Sequence, residues 1–506
     1  MYRFQAMILA VLLSLVWAPG QGTAATPFRL ANRAATIGRV LLVGPRRQYA
    51  VPSQAAAAAQ DGDTIEIDAG SYPNDWTTWD VNNLTIRAVG GVAQLTSSEL
   101  IPNRKAIWVI RGQNTTVEGI EFSGARVIDR NGAGIRQEGD GLTVRSCSFH
   151  DNENGILTVG SSTSDITIEY SEFANNGFSD GYTHNMYIGQ IRTFTLRYSY
   201  SHHAKVGHTL KSRARENLIL YNRIMDEGNG TSSYTVDLPN GGRSYLIGNE
   251  LQQGPATENP IIVAYGEEGG SNPDQQLYMI NNTIVNDRPS GGTFVNVVGS
   301  VPAVLKNNIF VGAGTAYNGP GSGVLVNNLV TSDAGLVDRA AFDYHLVAAS
   351  PAIDAGVDPG SANTVSLAPV AEYVQPHNQQ NRTVVGALDS GAHEFAAPAT
   401  APPTNPTTLS ALATSLTRID LTWTDTADNE AGFKIERRTG ASGSYMQIAI
   451  ASPNSNWFSD TSGLRPNTQY FYRVRATNAK GDSAYSNQAS ATTLAGSALF
   501  VPLVLR

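Results

Sequence analysis

An all-β chain is predicted: a long parallel β-solenoid followed by a small β-sandwich. Three observations predict it. A short phrase of alternating apolar and polar residues returns between residues 80 and 330, a proline-rich stretch breaks the pattern after residue 395, and short alternating segments resume behind it. At 506 residues the chain exceeds what one hydrophobic core supports, and a solenoid plus a small domain accounts for the length.

The chain opens with Arg3, an apolar run from Ala6 to Ala18 and small residues ending at Ala25. This is the layout of a secretory signal over residues 1–25, so a secreted protein is expected, extracellular or at the cell surface. Elsewhere no run reaches the roughly 18 apolar residues of a spanning helix, and no integral membrane span is expected. Cys147 is the only cysteine, so no intramolecular disulfide can form and stability must come from packing. A net charge of -8 offers no basic field to a polyphosphate backbone, which excludes nucleic acid as the expected partner. The 49 glycines and 20 tyrosines, with 15% charged residues, suit a turn-rich extracellular β protein.

The returning phrase is NNLTIR at Asn82, TTVEGIEF at Thr115, LTVRSCSFHDN at Leu142, ITIEYSEFANN at Ile166, FTLRYSYSHH at Phe194 and LILYNRIMD at Leu218. It continues as YLIGNELQQG at Tyr245, LYMINNTIVND at Leu277, AVLKNNIFVG at Ala303 and VLVNNLV at Val324. The repeat is roughly 21 to 32 residues, the range of solenoid coils. Each phrase is a strand followed by a turn, and a coil buries its apolar face only by stacking on the next, with parallel strands about 4.8 Å apart. Asn281, Asn282, Asn307, Asn308, Asn327 and Asn328 read as structural, because asparagine tolerates left-handed turns and bonds to its equivalent one coil on.

This pattern resembles the pectate-lyase-like superfamily of right-handed parallel β-helices over most of residues 40–395, within a domain spanning 26–395. Arg46 to Tyr72 resembles the superfamily's opening, in which an alanine-rich helix caps the solenoid before GDTI enters the first strand. YHLVAASPAIDAG from Tyr344 and VVGALDSGAHEF to Phe395 resemble its closing segment, which implies that both ends are protected from edge pairing.

Residues 396–408 are proline-rich and read as a stiff linker. RIDLTWTD with Trp423, GFKIERR, GLRPNTQY with Leu464 and Tyr470, and YFYRVRATNAKG then resemble a fibronectin type III β-sandwich over 409–494. Trp423 and Leu464 read as core, and Tyr470 as the tyrosine of the corner. The apolar tail 495–506 is too short to span a bilayer.

The chemistry concentrates between residues 184 and 254. His184, His202, His203 and His208, four of the 8 histidines, fall in three consecutive coils with Lys205, Lys211, Arg213 and Arg215. A solvated positive face is the plain alternative to a site. Aligning HNMYI, GHTLKS, SYTVDL and PIIVAY, with Met186, Ile188, Leu210, Val236, Leu238, Ile261 and Val263 inward, gives an outward column of Tyr187, Lys211, Asp237 and Ala264. Lys211 then lies on an exposed face between a phenol and a carboxylate, with Arg213 two residues along and His184 just before the first strand. This is either an acid/base cluster or an ordinary ladder in which Asp237 neutralises Lys211.

Gly207 to Gly254 resembles the catalytic stretch of the alginate and chondroitin lyases of polysaccharide lyase family 6. Lys211 and Ser212 match that family's Lys-Ser pair, which implies that Lys211 is the Brønsted base, and Asn217, Asn222 and Asn249 match its structural asparagines. The family's Arg-His-Gly triplet is replaced here by Asp237-Leu238-Pro239. Ala204, Lys205 and Val206 stand where some members carry acidic calcium ligands, so no cofactor is expected and calcium binding through that site is unmatched.

The expected activity is cleavage of an acidic, uronic acid-containing polysaccharide by β-elimination, by a monomer. Lys211 is the expected base, Arg213 or His208 neutralises the substrate carboxylate, and Tyr187 or His184 protonates the leaving group, with Asp237 completing the set. His208, His202, His203, Arg215 and Tyr234 are the expected substrate-binding residues. Two other readings stand beside it: a glycoside hydrolase pairing Asp237 with Glu267 or Glu268, or with Asp226 and Glu227, and a non-catalytic carbohydrate-binding or adhesive surface protein.

Overall fold

Strands of period two that cannot bury both faces alone have stacked into a β-helix, seen here in a computed structural model that describes residues 38–495 apart from 179, 302, 396–399, 428, 452 and 454. The expected signal over residues 1–25 and the tail from residue 496 lie outside the described residues. Each full coil contributes one strand to each of three parallel ladders. The first runs through Leu142–Arg145, Ser161–Glu169, Ile191–Arg197, Glu216–Leu220 and Arg243–Ile247. The second runs through Ser148–His150, Glu172–Ala174, Tyr200–His202, Arg223–Met225 and Glu250–Gln253. The third, a sheet of 10 strands, includes Asn154–Thr158, Met186–Ile188, Leu210–Ser212, Val236–Leu238 and Ile261–Tyr265.

Equivalent inward residues stack along the axis. Phe122, Phe149 and Phe173 lie face to face with centroids 5.0 and 4.8 Å apart, and Trp79 and Trp108 continue the column edge-on. A helix over Pro52–Ala58 covers the N-terminal end with Pro52 and Ala55 buried. Its free Ser53 N–H is accepted by Asp75 Oδ2 at 2.9 Å, a cap supplied from elsewhere in the chain.

Each asparagine pair divides its labour. The second member points inward: Asn282, Asn308 and Asn328, with Asn222 and Asn249 in the same position behind Tyr221 and Gly248, form a continuous chain of side-chain amide bonds of 2.9–3.0 Å. Cys147, Ser171 and Ser199 hold the same position in earlier coils, so the lone cysteine is a ladder residue. The first member turns the chain: Asn281, Asn307 and Asn327 have φ of 52°, 55° and 50°. Their amides bind the closing segment, at Asp389, Val357 and Ala355 carbonyls.

Asn282 satisfies four partners, accepting from the Asn249 N–H and amide and donating to Leu246 O and Asn308 Oδ1. Asn282→Ala strands these groups inside the coil, and we expect a loss on the order of 3 kcal/mol, read as a lowered urea midpoint.

One expectation is corrected. The closing segment runs along the flank of the coils rather than over their end. Leu325, the register partner of the fully buried Leu305, is 47% exposed, so the last coil is open among the described residues.

In the sandwich, Thr407–Ala413, Ile419–Thr424 and Trp457–Asp460 face a second sheet built around Gly432–Thr439 and Gln469–Asn478. Trp423, Leu464 and Tyr470 are buried in its core. The Tyr470 hydroxyl accepts the Arg465 N–H at 2.8 Å, the geometry of a tyrosine corner.

Candidate functional site

The third ladder sets the site. Its register pairs Tyr187 with Lys211, Lys211 with Asp237 and Asp237 with Ala264, so the side chains stand in one outward column in successive coils. The column is not exposed as expected, because Lys211 and Asp237 are buried. A glycine-rich loop over residues 266–272 folds across them. Gly266, Gly269 and Gly270 take φ of 77°, 99° and 53°, a path that only glycine follows without strain. Asn272 ties the loop down, donating to the carbonyls of Arg213, Ala214 and Gly241.

The loop brings Glu268 over the cations. Lys211 Nζ lies 2.9 Å from Asp237 Oδ2 and 2.8 Å from Glu268 Oε1. Arg213 donates to Glu268 Oε2 at 2.6 Å, to the Tyr187 hydroxyl at 2.8 Å and to Asn240 Oδ1 at 2.6 Å. His208 Nδ1 sits 3.1 Å from Asp237 Oδ2. The His184 ring stacks on Tyr187, and its Nδ1 accepts the His208 backbone N–H at 2.9 Å.

Charge follows from these contacts. Burial alone would raise the Asp237 carboxyl, but His208 and Lys211 outweigh it and hold the group below its ordinary range. Glu268 is likewise lowered, with Lys211 and Arg213 outweighing its partial burial. Burial, then the charges on His208, Lys211 and Arg213, push His184 well down, so it is neutral at pH 7. With Nδ1 accepting, its proton sits on Nε2, which leaves the ring one hydrogen-bond donor.

Tyr234 packs edge-on to His208 and donates to Glu267 Oε2 at 2.8 Å, and its hydroxyl is pushed up to about 12, by burial first and then by Glu267. Arg215 faces solvent. His202 and His203 bond to one another, to Glu172 and to Asn229, and not to the Lys211 group. Asp226 is buried among Ser232 and Thr257, and Glu227 bonds to Tyr200. Asn240 and Asn272 were not singled out from the sequence; the turn signals PNGG and GEEGGSN around them are the only trace.

A family model described as "Right handed beta helix region" matches residues 72–251, and one described as "Fibronectin type III domain" matches 402–492. The chain is a right-handed parallel β-helix protein with a C-terminal fibronectin type III domain. The β-helix protein is similar to pectate lyase Pel9A at 15% identity, over 71% of this chain and 97% of that one, with a TM-score of 0.53. That likeness shows the fold. An Fn3-like protein from Clostridium thermocellum is 32% identical over 18% of this chain and 92% of its own, with a TM-score of 0.16. Domains A168-A170 from titin are 21% identical with a TM-score of 0.17, and the β-helix protein spans 32% of that chain. No curated protein sequence matches the chain.

Proposed function

We propose that this β-helix protein is an exported polysaccharide lyase that cleaves a uronic acid-containing chain by β-elimination. The observation that carries the reading is the Glu268 carboxylate, held by both Lys211 and Arg213 in the way a substrate carboxylate must be held while the neighbouring proton is removed.

In the reaction the carbon next to the carboxylate loses a proton, charge develops on that carboxylate, and a double bond forms as the glycosidic oxygen leaves with a proton. Arg213 takes the uronate carboxylate in place of Glu268, which is half exposed and carried on a loop. For Lys211 to serve as the base, Glu268 moves off it as the uronate enters and the ammonium proton passes to solvent water, leaving the free amine to accept the substrate proton. Tyr187 is oriented by the Arg213 Nε–H, and its hydroxyl is the donor for the leaving oxygen. Neutral His184 contributes a hydrogen bond.

The hydrolase reading needs a protonated carboxylic acid near neutral pH. Asp237 and Glu268 are both lowered by cations, which counts against it.

The test is a panel of uronic acid polymers followed by ultraviolet absorbance. Absorbance from a new double bond supports the lyase. New reducing ends without absorbance indicate a hydrolase, and binding with neither indicates an adhesive protein.

A further inference from the structure

A second cluster lies at the corner that leads into the Lys211 strand. Asp151, Asn175 and His203 directly follow successive strands of the second ladder, and one coil on Glu227 stands one residue further along, after Asp226; all four are left-handed, with φ of 55°, 55°, 52° and 56°. Aspartate and asparagine suit that backbone, and histidine and glutamate replace them in adjacent coils. His202 precedes the turn, paired in register with Ala174 and Met225. Ligand atoms of His202, His203 and Glu227 all lie within 4.8 Å of one another.

Each ring has an oxygen acceptor at Nε2. Glu172 Oε1 lies 3.1 Å from His202 Nε2, and Asn229 Oδ1 lies 2.8 Å from His203 Nε2. A carboxylate and an amide oxygen only accept hydrogen bonds, so each Nε2 faces an acceptor and Nδ1 is the ring atom left to meet a proton or a metal ion. Those two Nδ1 atoms face each other at 2.6 Å. Two nitrogens at that distance need a proton or a metal ion between them. The carboxylate behind His202 is the support that orients metal-bound imidazoles. The Tyr200 ring stacks on His202 with centroids 4.0 Å apart, and its hydroxyl bonds to Glu227, so both outer ligands are anchored by one phenol.

We infer that His202, His203 and Glu227 bind a divalent transition-metal ion of the zinc class, through two imidazoles and one carboxylate. Imidazole nitrogens select such ions over calcium and magnesium, and three protein ligands leave a position for water. The site is separate from the Lys211 group and does not rest on the lyase reading.

Tag-free full-length protein, stripped with chelator, is titrated with Zn²⁺ against a chromogenic competitor and with Co²⁺ to read its visible absorption. One equivalent of tight binding is expected. His202→Ala and His203→Ala should each weaken it at least 100-fold. Glu172→Gln, which keeps a hydrogen-bonding side chain at a partly exposed position, should weaken it roughly 10- to 100-fold and serves if the histidine variants fail to fold. Lys211→Arg should bind as the wild type does. Absence of uptake, which would leave a shared proton between the rings, or uptake that survives Glu172→Gln and both histidine changes, overturns the inference.

Discussion

Lys211→Ala is expected to reduce kcat/KM on a uronate polymer by on the order of 10²–10⁴, the usual worth of a positioned base. The structure changes how that loss must be read. Lys211 is buried against Asp237, so alanine leaves a buried carboxylate with only His208 beside it, and stability falls as well. Lys211→Arg is the sharper variant. Arginine preserves the charge and the carboxylate contacts but does not give up a proton, so a base role predicts a loss as large as alanine's in a protein that unfolds near the wild-type midpoint. Near-wild-type turnover by Lys211→Arg would leave Lys211 a charge-stabilising role only. Tyr187→Phe separates the remaining cases: a moderate loss fits donation to the leaving oxygen, whereas a loss equal to that of Lys211→Arg with unchanged substrate binding moves the base to the phenol.

Stability should fall by roughly 3 kcal/mol between pH 6.5 and 9, through one histidine. His393 is fully buried, 2.6 Å from Glu250 and 3.8 Å from Glu372. Burial disfavours its charge, but the two carboxylates prevail and raise it from 6.5 to about 9. The folded protein therefore keeps a proton that the unfolded chain releases near 6.5, so this contribution is fully present below 6.5 and lost as pH rises through 9. Glu372 runs the other way. Despite burial, His393 and Arg382 lower it from 4.5 to about 2, and its contribution is lost as pH falls across that span. Urea midpoints across pH should thus plateau between about 4.5 and 6.5. His393→Gln should lower the plateau and flatten the alkaline limb, and an unchanged alkaline limb in that variant would remove His393 as the cause.

The column of Tyr187, Lys211 and Asp237 was legible because a β-strand has period two: once Leu210 and Val236 are placed inside, their neighbours have nowhere to point but out. The asparagines were legible for a related reason, since one coil repeats the turn chemistry of the last. The Glu268 loop was not, because its path is set by glycine torsions and by the Asn272 amide rather than by any period. Proximity in sequence also misled. His202 and His203 lie near Lys211 along the chain, yet a corner of the coil separates their ladder from its own.

The closing segment has a consequence for how the solenoid comes apart. Coils that touch only their neighbours unravel from a free end one at a time, each boundary with its own equilibrium. Here a single stretch of chain is bonded to Tyr221, Tyr245, Glu250, Asn281, Asn307 and Asn327. Shedding the last, open coil means peeling away the Asn327 attachment, and each later step must break another. The segment acts as a splint that fuses the C-terminal coils into one cooperative block.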